Sequence, residues 1–189
     1  MEALFTSIAI VALAEIGDKT QLLSLALAAR YRKPLPVIAG IFVATLLNHA
    51  LAGAVGAWVA TALGPVLLGR ILAASFLAMA VWILIPDKLD ASDVPPGRFG
   101  IFGATTLAFF VAEMGDKTQI ATVALAAKYA SFYAVVAGTT IGMLLANAPV
   151  VLLGERIANK IPAHIVRRIA AGIFAAMAIV PLANSVKLM

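Results

Sequence analysis

Ala14-Glu15-Ile16-Gly17-Asp18-Lys19-Thr20-Gln21 is the stretch on which the fold depends, because it places two acids and a lysine inside an otherwise apolar segment. It occurs again with one change, as Ala112-Glu113-Met114-Gly115-Asp116-Lys117-Thr118-Gln119, at an offset of 98 residues. The surrounding segment is long enough to cross a bilayer, where a central ionised acid costs about 2.5–3.5 kcal/mol on insertion scales. Such a cost favours an ion or substrate site over a self-neutralising cluster that only fixes helix packing.

The composition indicates an integral membrane protein. The 189 residues are 63% hydrophobic and 12% charged, with a mean hydropathy of +1.04, far from the values of a soluble domain. We predict an all-α fold, because open strands cannot satisfy their backbone in lipid. The net charge of +5 comes from basic residues in short loops between apolar spans, which argues against nucleic-acid binding. The chain has no cysteine, so thiolate metal sites are excluded.

Proline, glycine and polar residues divide the chain into six predicted transmembrane helices. They run over about 4–29, 36–63, 67–85, 99–127, 132–153 and 165–186. The 98-residue offset continues well beyond the motif and relates, for example, Phe76 to Phe174. We therefore predict a first three-helix repeat at 1–86, a cytoplasmic linker at 87–98 and a second three-helix repeat at 99–189. Because three is odd, the two repeats are expected to be inverted in the membrane.

The basic residues predict the orientation of these spans. Nine of them follow spans 1, 3 and 5, and only three lie on the other side, which places the first set in the cytoplasm and both termini outside it. The first set is Arg30, Arg32, Lys33, Lys88, Arg98, Arg156, Lys160, Arg167 and Arg168; the second is Arg70, Lys128 and Lys187.

Within the motif, the i, i+3 spacing predicts that Glu15 and Asp18 share one helical face, to which i, i+4 spacing adds Lys19. Gly17 and Gly115 lie inside the two clusters, where glycine costs about 1 kcal/mol relative to alanine in a helix interior. Two explanations remain open. The helix unwinds there and frees carbonyl oxygens for a cation, or the glycine permits close contact with another helix.

Other polar side chains are candidates for the same site. The motifs supply neutral oxygens, which either bind a cation or orient the acids, from Thr20, Gln21, Thr118 and Gln119. Spans 2 and 5 carry Asn48, His49 and Asn147 at mid-depth, and the offset aligns Asn147 with His49. These three residues are either ligands, or groups that orient ligands, or they form interhelical hydrogen bonds.

An inverted repeat brings the two motifs together near the midplane, and with them four candidate metal-binding carboxylates. These are Glu15, Asp18, Glu113 and Asp116. Carboxylate and carbonyl oxygens suit hard divalent cations such as Mn²⁺ or Ca²⁺, between which the sequence does not decide. Four carboxylates with Lys19 and Lys117 leave a formal charge of −2, which one divalent cation or two protons would neutralise. We therefore expect metal and protons to compete for the cavity.

Two copies of Glu-x-Gly-Asp-Lys-Thr, each opening a three-helix unit, resemble the signature of the GDT1 family, also called UPF0016. The resemblance covers nearly the whole chain and implies a cation/proton antiporter of Mn²⁺ or Ca²⁺, with the bacterial-type branch associated with manganese export. The matching positions are Glu15, Gly17, Asp18, Lys19, Thr20, Glu113, Gly115, Asp116, Lys117 and Thr118.

We therefore expect a secondary transporter and not an enzyme. It would export a divalent cation in exchange for protons, with no resident cofactor, from a bacterial inner membrane. An alternative is an intramembrane metal-dependent enzyme that acts on a lipid headgroup or phosphate with the same acids. Such an enzyme usually needs a nucleophile or base near the interface, whereas these acids are central and symmetric. A non-transporting scaffold leaves the repeated buried polar residues unexplained.

Overall fold

The computed structural model describes residues 1–86, 99–154 and 162–187. The expected linker at 87–98 lies outside the described residues, as do the basic side chains of Lys88, Arg98, Arg156 and Lys160. The division into two three-helix repeats and the orientation of the chain therefore remain predictions.

The described part of the chain is entirely helical, as expected for an all-α membrane protein. Among the described residues, four helices precede residue 87 and four follow residue 98. Their bounds are α1 Glu2–Glu15, α2 Lys19–Tyr31, α3 Pro34–Ala62, α4 Pro65–Trp82, α5 Gly100–Glu113, α6 Lys117–Tyr129, α7 Phe132–Leu153 and α8 Ala163–Lys187. Each helix of the second set begins 98 residues after its counterpart in the first, so the sequence offset is also an offset in local structure.

Within the described residues, four helices are long and apolar enough to cross a membrane, namely α3, α4, α7 and α8. Their outward surfaces carry large apolar side chains; Trp58 on α3 is 68% exposed and Val81 on α4 is 66% exposed. A water-facing surface rarely exposes so many large apolar side chains. The protein is therefore an integral membrane protein.

The predicted continuous helices of spans 1 and 4 are wrong at the motifs. The chain leaves the helix at Ile16 and resumes it at Lys19, and the same interruption separates α5 from α6. The helical-face argument for Glu15, Asp18 and Lys19 therefore does not apply. The left-handed conformation of Gly17 (φ 78°) and Gly115 (φ 75°) is the physical reason, since it ends a right-handed helix.

Small residues let the broken helices pack closely against long ones. α1 packs on α7, and α5 packs on α3. A Cβ atom at Gly138 of α7 would lie 2.6 Å from the carbonyl oxygen of Leu4, and one at Gly40 of α3 would lie 2.7 Å from Thr105 Cβ. These approaches need glycine. They hold α1 against α7 and α5 against α3.

α4 and α8 form the remaining layer of the molecule and pack extensively against each other. Their buried rings Phe76 and Phe174, which are equivalent under the offset, face each other with centroids 6.4 Å apart. This aromatic pair belongs to a core that also includes side chains of α1 and α6. The two broken helices are thereby covered by α4 and α8 on one side and by α3 and α7 on the other.

Candidate functional site

The two helix breaks, at 16–18 between α1 and α2 and at 114–116 between α5 and α6, have nearly the same backbone geometry. α1 and α5 end at glutamates, Glu15 and Glu113, and the residue after each is extended, with φ −65° in both. Asp18 and Asp116 are the N-cap residues of α2 and α6, with ψ 169° and 167°. Each break thus places a glutamate at the negative end of one half-helix and an aspartate at the positive end of the next.

The glutamine of each motif forms a hydrogen bond with the backbone of its own break. Gln21 Oε1 accepts a hydrogen bond of 2.9 Å from the backbone N–H of Gly17, and Gln119 Oε1 accepts one of 2.7 Å from Gly115. The amide nitrogens then reach equivalent positions on the long helices: Gln21 donates to the Ala146 carbonyl, and Gln119 donates to Asn48 Oδ1. The glutamines therefore orient the backbone of the two breaks, a role that differs from the two expected for them, and their part in binding a cation or orienting the acids stays a prediction.

The lysine of each motif pairs with the aspartate of the other motif. Lys117 Nζ lies 3.2 Å from Asp18 Oδ1, and Lys19 Nζ lies 3.5 Å from Asp116 Oδ1. Both aspartates are 4% exposed, whereas the lysine side chains differ, at 3% for Lys117 and 27% for Lys19. Lys117 also donates to the carbonyl of Ile85, just beyond α4. These reciprocal pairs bring the two motifs together.

The glutamates are fully buried, and each has one oxygen with a donor and one without. Glu15 Oε1 accepts from Asn147 Nδ2 at 3.1 Å, and Glu113 Oε2 accepts from the Thr118 hydroxyl at 2.8 Å. Glu15 Oε2 and Glu113 Oε1 are buried without a hydrogen-bond partner. An unsatisfied buried carboxylate oxygen is costly, so these two oxygens are candidates to accept a cation or a proton.

The polar residues expected at the site differ in the hydrogen bonds that they form. Asn147 binds Glu15 and accepts from the Ser24 hydroxyl at 2.6 Å, while Asn48 donates to the Phe110 carbonyl and accepts from Gln119. Both imidazole nitrogens of His49 and the Thr20 hydroxyl are buried without a hydrogen-bond partner. Asn48 therefore forms interhelical hydrogen bonds, whereas Asn147 orients a candidate ligand.

No three acidic or histidine side chains converge on one point within the described ranges, as a metal cage would require. The reason is visible in the ion pairs, because each aspartate is turned towards a lysine of the opposite motif. In this conformation the four carboxylates form two lysine-bound aspartates and two glutamates with a free oxygen each.

Two contributors to the site had no individual role in the sequence analysis. Ser24 was not distinguished from other small residues of its span. Arg167 was counted only as a cytoplasmic charge, but its guanidinium donates to the Gly17 carbonyl at 3.1 Å. The one signal in the sequence is that Arg167 lacks a basic counterpart, because the offset aligns it with Gly69.

An integral membrane protein with two half-helix pairs that end at buried carboxylates has the architecture of an ion-binding membrane transporter, where helix ends and unwound carbonyls hold the ion. A sequence profile described as "Divalent cation/proton antiporter GDT1" matches residues 3–91 and 101–188, nearly the whole chain. The chain therefore belongs to the GDT1 family.

Two relatives have names that agree with this assignment. A protein of Vibrio cholerae serotype O1, named "Putative manganese exporter", is 58% identical over 180 residues, which cover 95% of this chain and 90% of that protein. A GDT1-like protein of Synechocystis sp. is 26% identical over 213 residues, covering 95% and 96% of the two chains. Both names indicate a transporter family and not an enzyme family. No solved structure matches the chain.

Proposed function

We propose that the protein is a secondary transporter that exports a hard divalent cation in exchange for protons. Mn²⁺ is the favoured cation, and Ca²⁺ is the second candidate. The observation that carries the proposal is the pair of buried glutamates, Glu15 and Glu113, each with one oxygen that lacks a hydrogen-bond partner. Both lie at breaks in apolar helices, beside aspartates that lysines already neutralise. Such oxygens can accept either a metal ion or a proton.

The architecture that we propose for this transport is six spans in two inverted repeats. α1 with α2 would form the first span and α5 with α6 the fourth, because neither half-helix, at 13 or 14 residues, is long enough to cross alone. The equal offset of the helix starts supports two three-helix units, and an odd number of spans makes them inverted. Residues 87–98 would then be cytoplasmic, and both termini non-cytoplasmic in a bacterial inner membrane.

The ligand chemistry favours a hard cation. The chain has no cysteine, and the groups around the breaks are carboxylate, carbonyl, hydroxyl and amide oxygens. Those donors suit Mn²⁺ and Ca²⁺ better than softer metals. The name of the Vibrio cholerae relative supports Mn²⁺ as the exported ion. The resident protein groups would need no additional cofactor, since the metal is the cargo.

The charge of the cluster supports exchange with protons. Each aspartate forms a neutral pair with a lysine, so the remaining formal charge of −2 belongs to Glu15 and Glu113. One divalent cation neutralises this charge, and so do two protons. A fully ionised, empty cavity is disfavoured at membrane depth. That penalty favours turnover in which metal leaves in one direction and two protons return in the other.

Flux measurements on purified protein in liposomes test this function. Mn²⁺ entry, followed with a trapped metal-sensitive dye, should be fast in the wild type and fall below about one hundredth in Glu15→Gln and Glu113→Gln. Glu2→Gln is the matched control, because Glu2 is exposed and its carboxylate accepts a hydrogen bond from the Tyr129 hydroxyl, away from both motifs. The extent to which excess Ca²⁺ on the same side of the membrane reduces Mn²⁺ entry shows which of the two ions the protein prefers. Undiminished Mn²⁺ flux in both site variants would refute the proposed site.

The enzyme alternative is tested with the same preparations. A metal-dependent hydrolase would release phosphate or headgroup from lipid in detergent, whether or not a sealed compartment is present. We expect no such product from the wild type at a rate comparable to its Mn²⁺ flux. Product formation without flux would replace the transporter by an enzyme.

A further inference from the structure

The two breaks share their backbone geometry but differ in what covers them. At Gly17, a Cβ atom would lie 2.5 Å from Ala163 Cβ and 3.2 Å from the Arg167 guanidinium, both on the first turns of α8. At Gly115, a Cβ atom would meet nothing within 4 Å. The backbone itself therefore does not cause the difference. The start of α8 closes over the first break, and no described element closes over the second.

Arg167 makes the contact at the first break specific. Its Nη2 atom donates to the carbonyl oxygen of Gly17 at 3.1 Å. The offset aligns Arg167 with Gly69 and Ala163 with Pro65, and neither counterpart has a side chain that can donate a hydrogen bond. The arginine contact therefore belongs to one repeat only, although the motifs themselves are nearly identical.

The Gly17 carbonyl has the chemistry of a cation ligand. It belongs to an unwound residue between two half-helices, and such carbonyls bind ions in broken-helix transporters. A guanidinium at this oxygen acts as a tethered cation, because it is positively charged and donates in a fixed plane. A divalent cation bound to this oxygen would lie close to the guanidinium, and the two positive charges would repel each other strongly in a low-dielectric interior.

We propose that Arg167 is a gate residue at the first break. It holds the Gly17 carbonyl while the second break is open, and it must leave before the cargo cation binds at the first break. This inference rests on the proposed transport function, since the cargo is what replaces the arginine. It predicts opposite accessibility of the two breaks. When α8 releases Gly17, the first break opens, and the second break closes in the alternate conformation.

The absence of native cysteine allows a direct test with single-cysteine variants. Ile16→Cys and Met114→Cys are equivalent positions, one at each break, and a charged thiol reagent in nanodiscs reaches both faces. Each is combined with Arg167→Ala, with Arg167→Lys, and with Arg168→Ala, the exposed neighbour that serves as a matched control. The rate of labelling of each cysteine is compared with that in the otherwise unchanged chain.

With Arg167→Ala, labelling at Ile16→Cys should accelerate at least about tenfold, the factor that one charge-assisted hydrogen bond supplies. Labelling at Met114→Cys should slow down, because the second break closes when the first opens. Arg167→Lys should show a smaller acceleration, and Arg168→Ala none. An equal acceleration at both cysteines would mean general loosening, and no change at Ile16→Cys would mean no gate; either result overturns the proposal.

Mn²⁺ flux of the wild type separates this inference from the function on which it rests. If the wild type transports Mn²⁺ but the labelling rates do not respond to Arg167→Ala, the gate fails and the transporter stands. If labelling is reciprocal but the wild type moves no Mn²⁺, Arg167 still closes the first break, but the cargo assigned to it is wrong.

Discussion

The ammonium of Lys117 lies 3.2 Å from the carboxylate of Asp18, which belongs to the other copy of the motif. The equivalent pair formed by Lys19 and Asp116 is 3.5 Å long. Each lysine therefore neutralises the acid of the opposite half, and the two motifs form one electrostatic unit. This exchange of partners leaves the two glutamates as the acids that carry the uncompensated charge.

The two lysines differ in burial, and we expect them to differ in their effect on stability. Lys117→Ala leaves the carboxylate of Asp18 buried without this ammonium, which costs about 3–5 kcal/mol for a buried pair. Lys19→Ala removes a partner whose side chain is 27% exposed, so water already weakens its interaction with Asp116 and the loss should be smaller than for Lys117→Ala. Apparent melting temperatures in detergent measure both.

A neutral pair provides the control for this comparison. Asp18→Asn combined with Lys117→Met removes both charges together and should recover part of the stability that Lys117→Ala loses, because no buried charge then lacks its partner. Equal losses for the two lysine variants would contradict the predicted effect of lysine burial, and no recovery in the double variant would show that Lys117 does not stabilise the protein through Asp18.

The two motif glycines should also respond unequally to substitution. Gly17→Ala and Gly115→Ala both place an L-residue in the left-handed region, at a cost of about 1–2 kcal/mol. Gly17→Ala adds a steric conflict with Ala163, so its melting temperature should fall further. Gly172→Ala is the control, because Gly172 lies in α8 with nothing within 4 Å of its Cβ position. If all three variants have the same melting temperature, the backbone at the breaks does not require glycine.

His49 and Asn147 occupy equivalent positions, but only Asn147 donates to a motif glutamate in this structure. Asn147→Leu should therefore reduce Mn²⁺ flux at least about tenfold, since Glu15 loses its donor in a buried place. His49→Asn gives the first repeat the residue of the second and should retain at least about half of the flux. The opposite ranking would place the more important polar group on α3 and reject the role that we assign to Asn147.

Much of this arrangement follows from the sequence. The duplicated motif and the apolar spans were sufficient to predict an all-α membrane protein with buried acids, and α7 has the predicted bounds of span 5. The choice between unwinding and close packing at the glycines was left open, and the structure contains both. Gly17 and Gly115 are unwound, and Gly17 is also in close contact with α8.

The partners of the charged side chains could not be predicted in the same way. Helical spacing relates Lys19 to Glu15 only while the helix continues, and the break between them removes that relation. The lysines instead reach across to the opposite motif, a contact that depends on how distant helices pack. Arg167 was missed for the same reason, because its distance from Gly17 along the chain is 150 residues.

The central claim is that Glu15 and Glu113 bind either one divalent cation or two protons, and a single measurement tests it most directly. Purified protein in liposomes is given an imposed pH gradient, and Mn²⁺ movement and lumenal pH are recorded together with two dyes. We predict that protons moving down their gradient drive Mn²⁺ in the opposite direction, with about two protons per Mn²⁺, and that Glu15→Gln with Glu113→Gln abolishes both signals. Mn²⁺ movement that is indifferent to the pH gradient and leaves lumenal pH unchanged would contradict the claim and indicate a uniporter or channel.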